Sequence, residues 1–427
     1  MKRHLYAGVI LAAILVTLAV TSFVLEKQAG LEAATTTAPR FEVDPLWPKP
    51  LPNHWLLGQT IGVSVDAQDH VWIIHRGGSL EDNELGAVRK TAVCCAPAPP
   101  ILQYDSDGTL LSHWGGPGQG YDWPDSNHGV TVDYKGNVWI GGNGRGMAPA
   151  ARGAQPAGRG AAGGARGDQV QTAGQTGAIQ GYFNDAMVLK FTQTGKFLMQ
   201  IGKPGQSKGS NDIENLRLPA KTFVDKVANE VYVADGYGNH RVIVYDADTG
   251  KYKRHWGAYG NKPDDANLGP YDPNAPPAQQ FRNPVHCADL SVDRLLYVCD
   301  RANDRIQVFR PDGTFVKEAF FNKQTLGSGS AWDVAFSRDS RQKYLYLADG
   351  SNDRVHIIER DTLELLTTFG EGGRQPGMFY GVHSLAVDSK GNLYTTETYR
   401  GQRLQKFVYK GLAPITKKDQ GVIWPKR

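Results

Sequence analysis

Cysteine is scarce in this chain: there are four in 427 residues, and no two have the spacing of a zinc finger. None stands near the end of the N-terminal apolar run, so nothing supports a lipoprotein anchor. Charge of one sign is also lacking. Forty-seven Lys and Arg against 43 Asp and Glu leave a net charge of +4, with the bases scattered among the acids, which gives no case for nucleic acid. No long helical periodicity follows residue 26, which argues against a helical bundle. One uncharged apolar run, Leu5 to Leu25, follows Lys2 and Arg3 and reads as an export signal. Its length leaves two outcomes open, cleavage near Ala33 or Ala34 and retention as a membrane anchor through residues 5–25. The folded part is then expected outside the cytoplasm, periplasmic or extracellular.

What is present is glycine (50), proline (24) and 10% aromatics, which suits short strands joined by tight turns. Six units align on the Asp or Ser that ends their first strand: IGVSVD (61–66), HGVTVD (128–133), AKTFVD (220–225), HCADLS (286–291), WDVAFS (332–337) and HSLAVD (383–388). A second strand with an aromatic follows each, as in HVWII (70–74), EVYVAD (230–235) and LLYVCD (295–300), and two further strands complete the unit. A period of roughly 40 to 50 residues with four strands predicts an all-β, six-bladed β-propeller. The expected layout is residues 1–34 as signal peptide or anchor, 41–410 as the propeller, and 411–427 as a tail. Residues 41–52 or the tail would supply the outer strand that closes the ring. A Gly/Ala/Arg-rich insertion at 142–181 is too poor in apolar residues to pack and is expected to be disordered.

The repeat is also an internal control, because what recurs is architecture and what departs is a candidate for chemistry. The arginines after Asn239, Asn303 and Asn352 (Arg241, Arg305, Arg354), with Arg403, read as partners of the acid that ends the second strand. The first residue of each unit departs: Ile61, His128, Ala220, His286, Trp332, His383. Alternate blades of a six-blade ring lie about 120° apart, so His128, His286 and His383 would converge near the axis as a metal site. Arg76 and Arg301 follow the second strand at one register in blades 1 and 4, and Tyr237 sits one residue later in blade 3. All six residues are expected at one end of the channel. Cys287 and Cys299 flank a hairpin centred near Asp293, where a cross-strand disulfide is expected. Adjacent Cys94 and Cys95 fit a vicinal disulfide or two loop thiols.

These residues stand in segments that resemble the NHL-repeat propellers, and more narrowly the lyase part of peptidylglycine α-amidating enzymes. The segments are IHRG around Arg76, NHGVTVDYKGNVWI around His128, VYVADGYGNHRV around Tyr237, PVHCADL around His286, YVCDRANDRIQVF around Arg301 and GVHSLAVDSKGNLY around His383. The resemblance implies that the three histidines hold a catalytic zinc, that Tyr237 serves as base, and that Arg76 and Arg301 act on substrate and on the tyrosine, without saying which does which. It implies cleavage of a peptidyl-α-hydroxyglycine, or a related small molecule or peptide with a carboxylate, to an amide and glyoxylate. Three features depart from the family pattern. Ser384 replaces an Asp that helps bind a structural calcium, which leaves calcium open; Gly381 replaces a Met; and the family's disulfide positions are not matched. Two other classes compete: a lactonase-like metal-dependent hydrolase and a non-catalytic NHL-repeat binding scaffold.

Overall fold

The computed structural model describes residues 14, 16–23, 36–144 and 184–425. In blades 1, 2 and 6 the Asp ending the first strand turns the chain and then receives the aromatic of the second. Asp133 accepts the Lys135 and Asn137 backbone N–H groups (2.9 and 2.8 Å) and the Trp139 indole N–H (2.9 Å). Asp66 does the same for Trp72 (2.9 Å), and Asp388 for the Tyr394 hydroxyl (3.0 Å). A buried indole or phenol needs such a partner, and the turn supplies it.

Six four-stranded antiparallel sheets result. Their inner strands are Gln59–Val65, Asn127–Val132, Lys221–Asp225, Val285–Leu290, Asp333–Phe336 and Val382–Val387, in blades 1 to 6. Each inner strand packs on the next, and Val382–Val387 returns to Gln59–Val65, so the ring is closed. The protein is a six-bladed β-propeller. The apolar faces of successive blades bury each other; one such layer, between blades 4 and 5, holds Cys287, Tyr297, Ile306, Val334, Leu345 and Leu347.

The closing strand is Thr37–Asp44, paired antiparallel with Leu404–Pro414 as the outer strand of blade 6. The sheet therefore begins before residue 41 and runs past residue 410. The C-terminal segment is no free tail. It bridges Thr368 of blade 5 through Asp419, and the Ile423 carbonyl accepts the Val43 N–H (2.9 Å), so it runs between the outer strands of blades 5 and 6. Arg241 and Arg305 pair with Asp235 (2.8 Å) and Asp300 (2.7 Å), and Arg403 with Glu397. Arg354 does not follow this pattern. The His356 imidazole, two residues on and on the same face of the strand, takes Asp349 (3.0 Å), and Arg354 reaches Asp419 (3.0 Å).

The expected signal or anchor falls mostly outside the described residues. Residues 14 and 16–23 are helical, and no helix among the described residues is long and apolar enough to cross a membrane. Most of the expected insertion, with Arg145, Arg152, Arg159 and Arg166, also lies outside them. Its first three residues are ordered, against expectation. Gly142 ends the strand Val138–Gly142, and Asn143 and Gly144 are held by the Ser126 carbonyl and the Asp185 carboxylate. Both cysteine pairs are disulfides: Cys287 and Cys299 lie directly opposite in the hairpin with Cα atoms 4.9 Å apart, and Cys94 is bonded to Cys95.

Candidate metal centre

A break in strand register marks each histidine. In blades 2, 4 and 6 the inner and second strands slip by one residue between His128 and Val130, around His286, and around His383. Bulges re-aim side chains, and here they turn three imidazoles into the channel. Gly129 forms the bulge in blade 2 at φ +69°, where a Cβ would stand 2.5 Å from the Ala220 carbonyl oxygen.

The three rings converge, with centroids 4.8 to 5.1 Å apart, and one ring nitrogen from each lies within 4.8 Å of the others. All three histidines are buried. Each is anchored by the next blade, at the register that aligns with it. His128 Nδ1–H donates to the Ala220 carbonyl (2.7 Å) and His286 Nδ1–H to the Trp332 carbonyl. His383 reaches the corresponding Ile61 carbonyl through the Ser384 hydroxyl, which accepts from Nδ1 (3.0 Å) and donates to Ile61 (3.2 Å). Ile61, Ala220 and Trp332 are the residues that fill the histidine register in the odd blades. A donated Nδ1 proton leaves the Nε2 lone pair for the channel, the arrangement that metal-binding histidines use.

Electrostatics agree. Burial first, then Arg301 and His128, hold His286 well below the ordinary histidine value. Burial, His286, His128 and the two arginines do the same for His383. These two imidazoles are therefore neutral near pH 7. His383 Nε2 is buried with no hydrogen-bond partner, and a bound ion is one of the few reasons for such an atom. Three preoriented imidazole nitrogens fit a metal ion.

Tyr237, Arg301 and Arg76 surround this centre. Gly236 lets the blade 3 loop touch the blade 4 inner strand, since a Cβ there would meet Val285 backbone atoms at 2.1 Å. That contact sets the Tyr237 hydroxyl 3.1 Å from His128 Nε2 and 3.0 Å from His286 Nε2. Arg301 Nη1 donates to the same hydroxyl (3.0 Å), and its guanidinium lies 4.3 Å above the Trp332 ring. Arg76 donates to the Asn127 carbonyl (3.1 Å), Gln59 Oε1 (3.1 Å) and Asn143 Oδ1 (2.7 Å). All six residues singled out in the sequence thus meet at one place. Sequence reasoning missed Gln59, Asn127 and Asn143, and it noted Trp332 at the histidine register and Ser384 as a departure without giving either a part in the centre.

Fold and site together define a class, a six-bladed propeller with a three-histidine centre in its channel. No protein-family model matches the chain. It is 30% identical over 360 residues to the peptidyl-glycine alpha-amidating monooxygenase B of Xenopus laevis, an alignment covering 80% of this chain and 33% of that protein. It is 24% identical over 335 residues to NHL repeat-containing protein 3 of Mus musculus, covering 77% of this chain and 70% of that one. The chain spans about a third of the length of the amidating monooxygenases it matches, 31% and 33%. Among solved structures, virginiamycin B lyase from Staphylococcus aureus is 14% identical with a TM-score of 0.43, covering 87% of this chain and 90% of that one.

Proposed function

We propose that this protein is a zinc-dependent carbon–nitrogen lyase that cleaves an N-acyl-α-hydroxyglycine, or a related carbinolamide bearing a carboxylate, to an amide and glyoxylate. The observation that carries the reading is the Tyr237 hydroxyl, held between two imidazole nitrogens of the centre and the Arg301 guanidinium. The amidating monooxygenase relatives support the substrate class, and three imidazole donors suit zinc better than calcium or magnesium.

His128, His286 and His383 would hold the ion, which when bound supplies Lewis acidity toward a substrate oxygen. Tyr237 is placed to take the proton of the substrate hydroxyl. As that O–H bond breaks, its electron pair forms the new C=O bond, the C–N bond breaks, and the amide nitrogen leaves with a proton. A tyrosine ionises near pH 10 in water and needs a cation to serve as base. Arg301, hydrogen-bonded to the hydroxyl and stacked on Trp332, is that cation. Arg76, held by three oxygen acceptors from blades 1 and 2, is given the substrate carboxylate in this reading. Export through the N-terminal apolar run belongs to the same reading.

The test is metal analysis of the purified protein followed by glyoxylate release from N-benzoyl-α-hydroxyglycine. Zinc at about one ion per chain with glyoxylate release is the expected result. The NHL repeat-containing relative favours a second reading, a non-catalytic scaffold. A metal-free protein inactive after zinc addition would establish that reading, and release of acid from lactones without glyoxylate release would favour the hydrolase.

A further inference from the structure

Immediately after Ala220, whose carbonyl anchors His128, Lys221 points into the same channel. Its Nζ lies 3.0 Å from Asp289 Oδ2 and 2.7 Å from Asp333 Oδ1. The lysine comes from the inner strand of blade 3, the acids from those of blades 4 and 5. The second Asp333 oxygen accepts the Leu385 N–H of blade 6 (3.0 Å), so the cluster ties four blades together. Side-chain exposures are 13% for Lys221 and Asp289 and 1% for Asp333. A cavity of water size, lined by His128, His286, Lys221, Asp333 and Ser384, lies between this cluster and the histidines.

Carboxylate oxygens of Asp289 and Asp333 lie within 4.8 Å of each other, close enough to hold one ion. Cys287, the third group nearby, is closed off by its disulfide. Two buried carboxylates at that spacing on separate strands attract a hard cation, and oxygen donors are what calcium takes. Here an ammonium already stands between them. Ser384, at the position that left calcium open in the sequence, spends its hydroxyl on His383 and Ile61. The residues present do not fit a calcium ion.

We propose that Lys221 is a built-in cation that occupies a divalent-cation position in the channel below the histidine centre, so that the propeller is braced there without calcium. The two carboxylates hold Lys221 protonated against its burial, and burial raises Asp289 against the pull of Lys221, so without the ammonium two buried acids would face each other with no cation between them. The inference does not depend on the proposed activity.

Thermal unfolding of wild type, Lys221→Ala and Lys221→Met in millimolar CaCl2 and in EGTA tests it. Wild type should purify without calcium and melt at one temperature in both buffers. Lys221→Ala leaves two buried carboxylates and a space, and should melt about 5 to 10 °C lower in EGTA. Calcium should restore roughly 5 °C of that loss. Lys221→Met fills the space without charge, and calcium should leave it unchanged. Where Lys221→Ala does not accumulate folded, the yield of refolding from urea with calcium and with EGTA is the same readout. Stoichiometric calcium in wild type, a folded Lys221→Ala indifferent to calcium, or equal rescue of both variants overturns the proposal.

Discussion

The channel of this propeller holds two clusters of ionisable groups, the histidines on the inner strands of blades 2, 4 and 6 and the lysine with its two acids on those of blades 3, 4 and 5, finished in opposite ways. At the lysine level, an ammonium and two carboxylates satisfy each other inside the protein. At the histidine level, three imidazole nitrogens face one another, and His383 Nε2 has no partner. Buried polar groups without partners are costly, so the first cluster reads as bracing and the second as a place kept for something that arrives. The inner strands slip register at each histidine and also around Ile61 in blade 1, whereas Lys221 sits in the unbroken Lys221–Asp225 pairing of blade 3.

The comparison breaks most visibly if the histidines also prove to be bracing. His286→Ala should lose its metal, from about one ion per chain to near none by elemental analysis, and lose all measurable glyoxylate release, with the circular dichroism of the blades retained. Metal content equal to wild type would end the reading. Tyr237→Phe comes next. It removes only the hydroxyl, so metal content should hold while kcat falls about 10²- to 10⁴-fold, the usual cost of a lost general base. Full activity in Tyr237→Phe would remove the proposed base.

The histidine level was legible in the sequence because the repeat supplied its own control: three histidines stand where the other blades have Ile61, Ala220 and Trp332. Those three residues also anchor the imidazoles, but through main-chain carbonyls, which residue type does not encode. Lys221 was illegible for another reason. Its acids lie 68 and 112 residues away and become neighbours only when the ring closes. Ring closure could not be assigned between the two chain ends, since each carries a strand without a local partner. The structure uses both, one in blade 6 and one between blades 5 and 6. Arg354 shows where register reasoning fails. It occupies the position of Arg305, yet His356 is nearer to the acid, and the tail offers Asp419 instead.

The two arginines sharpen the comparison within the histidine level, because Arg301 is hydrogen-bonded to the tyrosine whereas Arg76 is held by Gln59, Asn127 and Asn143. Arg301→Ala should lower kcat about 10- to 100-fold, the range expected for one lost hydrogen bond to a charged group, and move the pH optimum upward. The upward shift follows because losing a nearby cation makes the phenol harder to ionise. Arg76→Ala should raise KM by a similar factor for substrates with a carboxylate and change little for the corresponding esters. Identical kinetic effects from both variants would cancel the division of roles.

The smallest expected effect concerns acid, and it comes from a histidine outside both clusters. His75 is fully buried, accepting the Gly58 N–H at Nδ1 (3.1 Å) and donating from Nε2 to the Pro99 carbonyl (3.0 Å). Burial pushes it down to about 4, against the pull of the backbone carbonyls. An unfolded histidine takes up its proton near pH 6.5, so between 6.5 and about 4 the unfolded chain binds a proton that the folded chain refuses. The stability that this neutral imidazole contributes is therefore present above pH 6.5 and is lost as the pH falls, by up to about 1.4 kcal/mol per pH unit. In metal-free protein His286 and His383 add losses of the same sign, and bound metal should oppose those two alone, because protons and metal compete for their nitrogens. His75→Gln keeps one donor and one acceptor but cannot titrate. Its urea unfolding free energy should fall less steeply than wild type between pH 6.5 and 4, by about the slope of one group, and match wild type in slope above pH 7. Parallel curves for the two proteins over the acid range would show that His75 is protonated when folded and that its burial does not set its charge.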